Sequence, residues 1–151
     1  MMADDYFAIQ NLVYRYCDRL DRGDFAAVGA LFAHADFHVP SSPTPIRDPA
    51  AVAATYRQYT RLYPDTGTPK TRHVTTNLMI EPDGADAARA QSYVVVFQAT
   101  GELPLQPVIA CTNYDRFARV GGAWRFSERR IEMNLLGDLS AHMLQPIPPA
   151  G

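Results

Sequence analysis

Asp21 and His73 are the side chains whose types suit proton transfer. Asp21 lies near the exit end of the stretch IQNLVYRYCDRLDRGD, residues 9–24. Ile9, Leu12, Val13, Tyr16 and Leu20 recur there at the three- and four-residue spacing of a buried helical face. Tyr14, Cys17 or Asp18, and Asp21 follow the same spacing on a neighbouring stripe, so polar groups recur where core is expected. That makes Asp21 a candidate half of a proton-transfer pair. The plainer alternative is a helix-end carboxylate bonded to backbone or to Arg22, with Asp18 as its local competitor. His73 sits in an alternating segment, and histidine is the residue type that suits a general base near neutral pH. A satisfied structural histidine is the competing reading.

Other chemistry is thinner. Tyr56, Tyr59 and Tyr63 form an aromatic stripe that reads either as core or as a pocket wall holding hydroxyls. His34, Asp36 and His38 alternate on one strand face and mimic a two-histidine, one-carboxylate metal site; a solvated face explains them equally well, and no metal is expected. A glycine-rich phosphate loop, a GxSxG elbow and a nucleophile spaced to a base are all missing.

The elements that must position these groups follow from the patterning. Gly23 ends the first helix and Asp24 caps a second, which runs to Phe32 with Phe25, Val28, Leu31 and Phe32 as its apolar side. Residues 33–39 alternate as a strand. Pro40, Pro43 and Pro45 break regular structure, and Asp48-Pro49 starts a third helix reaching about Tyr63. Strands follow over 71–81, 87–100, 108–120 and 123–134, joined by Pro82-Asp83-Gly84, the loop GELPLQP and a Gly121-Gly122 hairpin turn. A short helix over 139–144 precedes a tail, 145–151, expected to be flexible. Helices first and an antiparallel meander afterwards define one α+β domain, residues 1–144, with the helices on a strongly curved, mostly antiparallel sheet. By alternation His73, Thr75 and Asn77 share a face, as do Arg125, Ser127, Arg129, Ile131 and Met133; Arg130 then points the other way.

The bulk numbers exclude several function classes. The chain of 151 residues is 47% hydrophobic and 20% charged, with a formal net charge of −2. It has no basic block for nucleic acid, no apolar run long enough to span a membrane, and no cationic leader. Cys17 and Cys111 lack metal-ligand spacing and read as free thiols of a reducing compartment, so a cytoplasmic location is expected.

The segments IQNLVYRYCDRLDRGDF, LFA, RHVTTNLMIE and YDRFARVGGAWRFSERR resemble the SnoaL-like branch of the nuclear transport factor 2-like superfamily, over roughly residues 5 to 140. The resemblance implies a cone-shaped α+β barrel with a pocket at its open end. It also implies a homo-oligomer, dimer or trimer, with no cofactor. Within the branch the motifs are similar to γ-hexachlorocyclohexane dehydrochlorinase, bile acid 7α-dehydratase and, more distantly, scytalone dehydratase, which are cofactor-free lyases with an Asp–His pair. Carried over by motif, the aspartate falls on Asp21, the histidine on His73 and the cavity arginine on Arg129. Tyr16 stands where the bile acid enzyme has tyrosine and the dehydrochlorinase lysine. The bile acid enzyme's second strand aspartate has no counterpart at Val96, Phe97 or Gln98.

The implied function is an acid–base lyase or isomerase, dehydratase-, dehydrohalogenase- or polyketide cyclase-like, acting on a small, largely apolar and cyclic substrate. His73 is the base and Asp21 its orienter, while Tyr16 and Arg129 polarise the substrate. Tyr14, Tyr56, Tyr59, Phe97, Asn113, Ile131 and Met133 are expected to line the pocket. Tyr14 substitutes for Tyr16 if the helix is ideal, because residues 16 and 21 lie about 140° apart on it. Arg129 has a surface alternative, paired with Glu128 or Glu132. The rival function is a non-catalytic binding protein or oligomer partner using the same cone.

Overall fold

In the computed structural model, which describes residues 1–146, the first helix α1 runs Ala3–Asp21. It starts six residues before the apolar stripe begins, because Asp5 turns back to accept the Met2 N–H at 2.9 Å. Its inward face is the expected one, with Ile9 and Val13 fully buried and Tyr16 and Leu20 nearly so. Gly23, at φ +71°, ends it in the left-handed conformation; a Cβ there would lie 2.7 Å from the Gly67 carbonyl oxygen. Asp24 then caps α2 (Phe25–Leu31) by accepting from the Ala27 N–H at 3.1 Å.

Helix α3 (Pro49–Tyr59) has Asp48 as its cap, accepting from Ala50 and Ala51 N–H at 3.3 and 3.0 Å. It ends four residues earlier than expected. The Tyr59 carbonyl oxygen accepts from the Leu144 N–H, and Thr60 turns extended to pair with Met143. The same capture accounts for the missing C-terminal helix. Residues 139–143 make one turn, in which Leu139 O accepts from the His142 and Met143 N–H groups, and the next residues bond to 59–61 instead. The expected flexible tail lies, from residue 147 onward, outside the described residues.

The remaining elements are β1 (Asp36–His38), β2 (Thr71–Pro82), β3 (Ala87–Gln98), β4 (Gln106–Val120) and β5 (Ala123–Leu136). They form one sheet in the order β1-β5-β4-β3-β2, with β1 parallel to β5 and every other pair antiparallel. The α+β class and the mostly antiparallel sheet are as expected; the closed barrel is not. β1 and β2 remain free edges of an open sheet.

Bulges bend the strands and reset their inside–outside parity. Between Thr76 and Met79 the register of β2 shifts, and Asn77 takes φ +52°. Asn77 therefore does not share the inner face of His73 and Thr75; Leu78 and Ile80 are the half-buried positions beyond it. In β5, Arg116 pairs with Glu128 but Phe117 pairs with Phe126, which leaves Ser127 as the extra residue. Phe126, fully buried, thus joins Arg129 and Ile131 inside, and the predicted shared face of Arg125, Ser127 and Arg129 is wrong by one slip. The core lies between this inner face and α1, α2 and α3; Phe32, Phe37, Phe117 and Phe126 form its aromatic centre.

Candidate functional site

A cavity of about 100 Å³ opens between the helices and the inner face of the sheet. Tyr16 and Leu20 of α1 and Thr55, Tyr56 and Tyr59 of α3 form its helical wall. The sheet contributes His73, Val94, Val96, Ile109, Cys111, Asn113, Ile131 and Met133. Val39, Pro40 and Ser41 border it on one side, and His142 and Met143 on the other.

The end of α1 lies over the start of β2, and this brings Asp21 to His73. The Asp21 carboxylate accepts from His73 Nδ1 at 2.6 Å, from Thr71 Oγ1 at 2.8 Å and from the His73 backbone N–H at 2.9 Å. Both side chains are about nine-tenths buried, at 8% and 10% exposure. Burial by itself would raise the Asp21 pKa. The His73 ring and backbone and the Thr71 hydroxyl outweigh it, so the carboxyl is held below its ordinary value. An ionised carboxylate only accepts hydrogen bonds, so it keeps the proton of a neutral His73 on Nδ1 and leaves Nε2 as the basic lone pair. Asp21 itself is not on the cavity wall; His73 is. The angular conflict between residues 16 and 21 disappears, since only Tyr16 has to reach the cavity from the helix. Asp18, the rival carboxylate, is spent on an exposed pair with Arg22.

Tyr16 and Tyr56 meet hydroxyl to hydroxyl at 2.7 Å on the cavity wall. Burial pushes both phenols above their ordinary pKa, so both stay protonated. One hydroxyl donates to the other, which leaves one O–H free for a ligand oxygen. Tyr14 faces away, 43% exposed, and is not a pocket residue. Tyr63 lies beyond the helix and donates to the Ala141 carbonyl oxygen at 2.7 Å.

Arg129 departs from its expected place. Its side chain is wholly buried behind Tyr16, outside the cavity, with Nε and Nη2 donating to Asp115 at 2.7 and 2.6 Å. Its guanidinium lies 4.1 Å from the Tyr16 ring centre and 4.7 Å from that of Phe126. Burial opposes its charge, and Asp115 more than restores it. Neither Glu128 nor Glu132 is its partner; Glu128 faces His38, Arg116 and Arg130 instead. Arg130, half-exposed, points outward as alternation requires.

Phe97 is likewise off the cavity, because even-numbered β3 residues face inward; it flanks a shallow groove beside Asp21. Tyr56, Tyr59, Asn113, Ile131 and Met133 stand on the cavity wall where the sequence reading put them. Asp115 and His142 are among the buried polar groups that escaped that reading. The inward parity of Asp115 was legible, since it matches Asn113 and Phe117, but its facing Arg129 was not, because the bulge at Ser127 sets that register. His142 was not, because its segment carries no period. As for the possible metal trio, Asp36 is occupied by Arg47 at 2.7 Å, and no three metal-binding side chains converge among the described residues.

The family described as SnoaL-like domain matches residues 1–130. No curated protein matches the sequence. A structure of Rv3472, a protein of unknown function from Mycobacterium tuberculosis, is 27% identical with TM-score 0.70, covering 89% of this chain and 79% of its own. An NTF2-like protein with a cystatin-like fold from Novosphingobium aromaticivorans is 25% identical with TM-score 0.69, covering 86% and 82%. A protein assigned as a candidate scytalone dehydratase from the same organism is 20% identical with TM-score 0.71, covering 99% and 95%, a likeness of fold.

Proposed function

The chain belongs to the SnoaL-like domain family, and on that premise we propose that it is a cofactor-independent acid–base lyase or isomerase acting on a small, largely apolar, cyclic substrate. The observation that carries the reading is the 2.6 Å contact between Asp21 and His73, with the histidine on the wall of a mostly apolar cavity. His73 Nε2 removes a proton from a carbon beside a carbonyl, and Asp21 stabilises the imidazolium that forms. The Tyr16–Tyr56 hydroxyls hydrogen-bond the oxygen on which negative charge gathers. In a dehydration the imidazolium then gives its proton to the departing hydroxyl, and water leaves. In an isomerisation the proton returns to a different carbon. Arg129 supports this indirectly, as a buried cation behind the Tyr16 ring that holds it in place.

A panel of cyclic β-hydroxy ketones, followed by the absorbance of the conjugated enone, tests the reading. Turnover that drops about 10²- to 10⁴-fold in His73→Ala, with the fold intact, supports it. An activity indifferent to that change sinks it.

One observation favours a second reading. The single cation expected in the cavity is locked away in the Arg129–Asp115 pair, which leaves a cavity wall fit to bind a neutral ligand without converting it. Ligand binding that survives Asp21→Ala and His73→Ala, in a protein with no turnover across the panel, would select that reading.

A further inference from the structure

His142 has no part in the chemistry above, yet it is mounted as firmly as a catalytic group. Its turn, 139–143, is pinned from several sides. The fully buried Gln98 donates through Nε2 to the Ala141 carbonyl oxygen at 3.2 Å, and Tyr63 donates to the same oxygen at 2.7 Å. The His142 carbonyl oxygen accepts from the Arg61 N–H at 2.9 Å, and Met143 pairs with Thr60. The imidazole is 6% exposed and lines the same cavity as His73. Its Nδ1 is buried with no hydrogen-bond partner among the described residues.

Buried polar nitrogens in folded proteins are nearly always satisfied, and an unsatisfied one is costly. The turn holds this ring rigidly on the wall of the cavity, where a ligand that enters can supply a partner. The chemistry of that partner can be narrowed. Burial, then the neighbouring His73, press the His142 pKa down to about 4, with Asp21 opposing, so the ring is neutral at pH 7. A neutral imidazole offers one donor and one acceptor, which suits a hydroxyl or a carbonyl. A carboxylate or phosphate would call for a cation, and the Arg129 cation lies outside the cavity.

We propose that His142 is a ligand-binding residue that hydrogen-bonds an oxygen of an uncharged hydroxy or keto compound in this cavity. The proposal rests on the cavity being a ligand site and does not need His73 to act as a base.

Phenol and toluene, one shape with and without a hydroxyl, are the probes. Their affinities are measured by calorimetric or NMR titration on the wild-type chain and on His142→Leu, His142→Asn and His142→Gln. The expected result is a loss of about tenfold in phenol affinity in His142→Leu, with toluene unchanged within twofold. Either the Asn or the Gln variant restores phenol binding, since an amide can stand in for one ring nitrogen. Phenol, and not toluene, shifts the ¹⁵N resonances of the His142 ring. Equal losses for both probes, no loss for phenol, or failure of both amide variants to restore it would overturn the assignment. Turnover can fail across the β-hydroxy ketone panel while this pattern holds, and the lyase reading would then fall alone.

Discussion

Hydrogen bonds from three groups on β2 end on one carboxylate, and that count settles how Asp21 behaves. The Thr71 hydroxyl and the His73 ring and backbone offset its burial, so Asp21 is ionised where an isolated buried carboxyl would not be. Its pKa in the folded chain is below the ordinary 3.8, so its contribution to stability is fully present above that value. The contribution is lost as pH falls through the lower folded value. Urea denaturation from pH 6 to pH 2 should show this: Asp21→Asn lowers stability at pH 6 and flattens the acid limb. An unchanged limb would mean that the carboxylate is not held as described. His142 works in the same sense, at higher pH. Its folded pKa of about 4 lies below the ordinary 6.5, so the unfolded chain takes up a proton first as pH falls. The native state therefore loses stability between about 6.5 and about 4 on that account, and His142→Leu should remove this slope from the same titration.

At the scale of elements, two contacts set the geometry of the site. α2 crosses α3 at Gly29, where a Cβ would lie 2.1 Å from the Pro49 carbonyl oxygen. Gly29→Ala has to push the two helices apart and should cost about 1–3 kcal/mol in denaturant unfolding. β4 and β5 are tied behind the cavity by Asp115 and Arg129, both fully buried. Arg129→Met leaves the Asp115 charge buried and alone, a loss of about 3–5 kcal/mol. The double change Arg129→Met, Asp115→Leu should recover much of that loss, and a double variant no more stable than Arg129→Met would contradict the pairing. The same strands show where sequence reading stops. Periodicity found every strand and placed Asn113, Ile131 and Met133 correctly, because hydrophobic alternation is local. It could not see the bulge at Ser127, nor that Arg129 would find its partner across the ladder in Asp115 and not in a ligand.

Across the whole molecule, the helices sit over the inner face and the sheet stays open, so among the described residues nothing covers its outer face. Val74, Met79, Tyr93 and Tyr114 are exposed there on three adjacent strands. We propose that this face pairs copies of the chain. Sedimentation should give an oligomer that Tyr93→Glu with Tyr114→Glu turns into a monomer; a monomeric wild type would contradict the pairing. The C-terminal turn belongs to the same scale. Residues far apart in the chain, Tyr59 to Arg61 and Gln98, hold it at the cavity. A local pattern carries no trace of such a contact, and His142 was illegible for that reason.

The proposed role of His73, backed by Asp21, is that of a base acting on a ligand in the cavity. Hydrogen–deuterium exchange at the carbon beside the carbonyl of small cyclic ketones, followed by NMR in D₂O, tests it without knowledge of the natural product. The expected result is exchange accelerated by the wild-type chain and reduced to the uncatalysed rate in His73→Ala, with ketone binding retained. Exchange at the same rate in both proteins, or none above background for any ketone that binds, would contradict it.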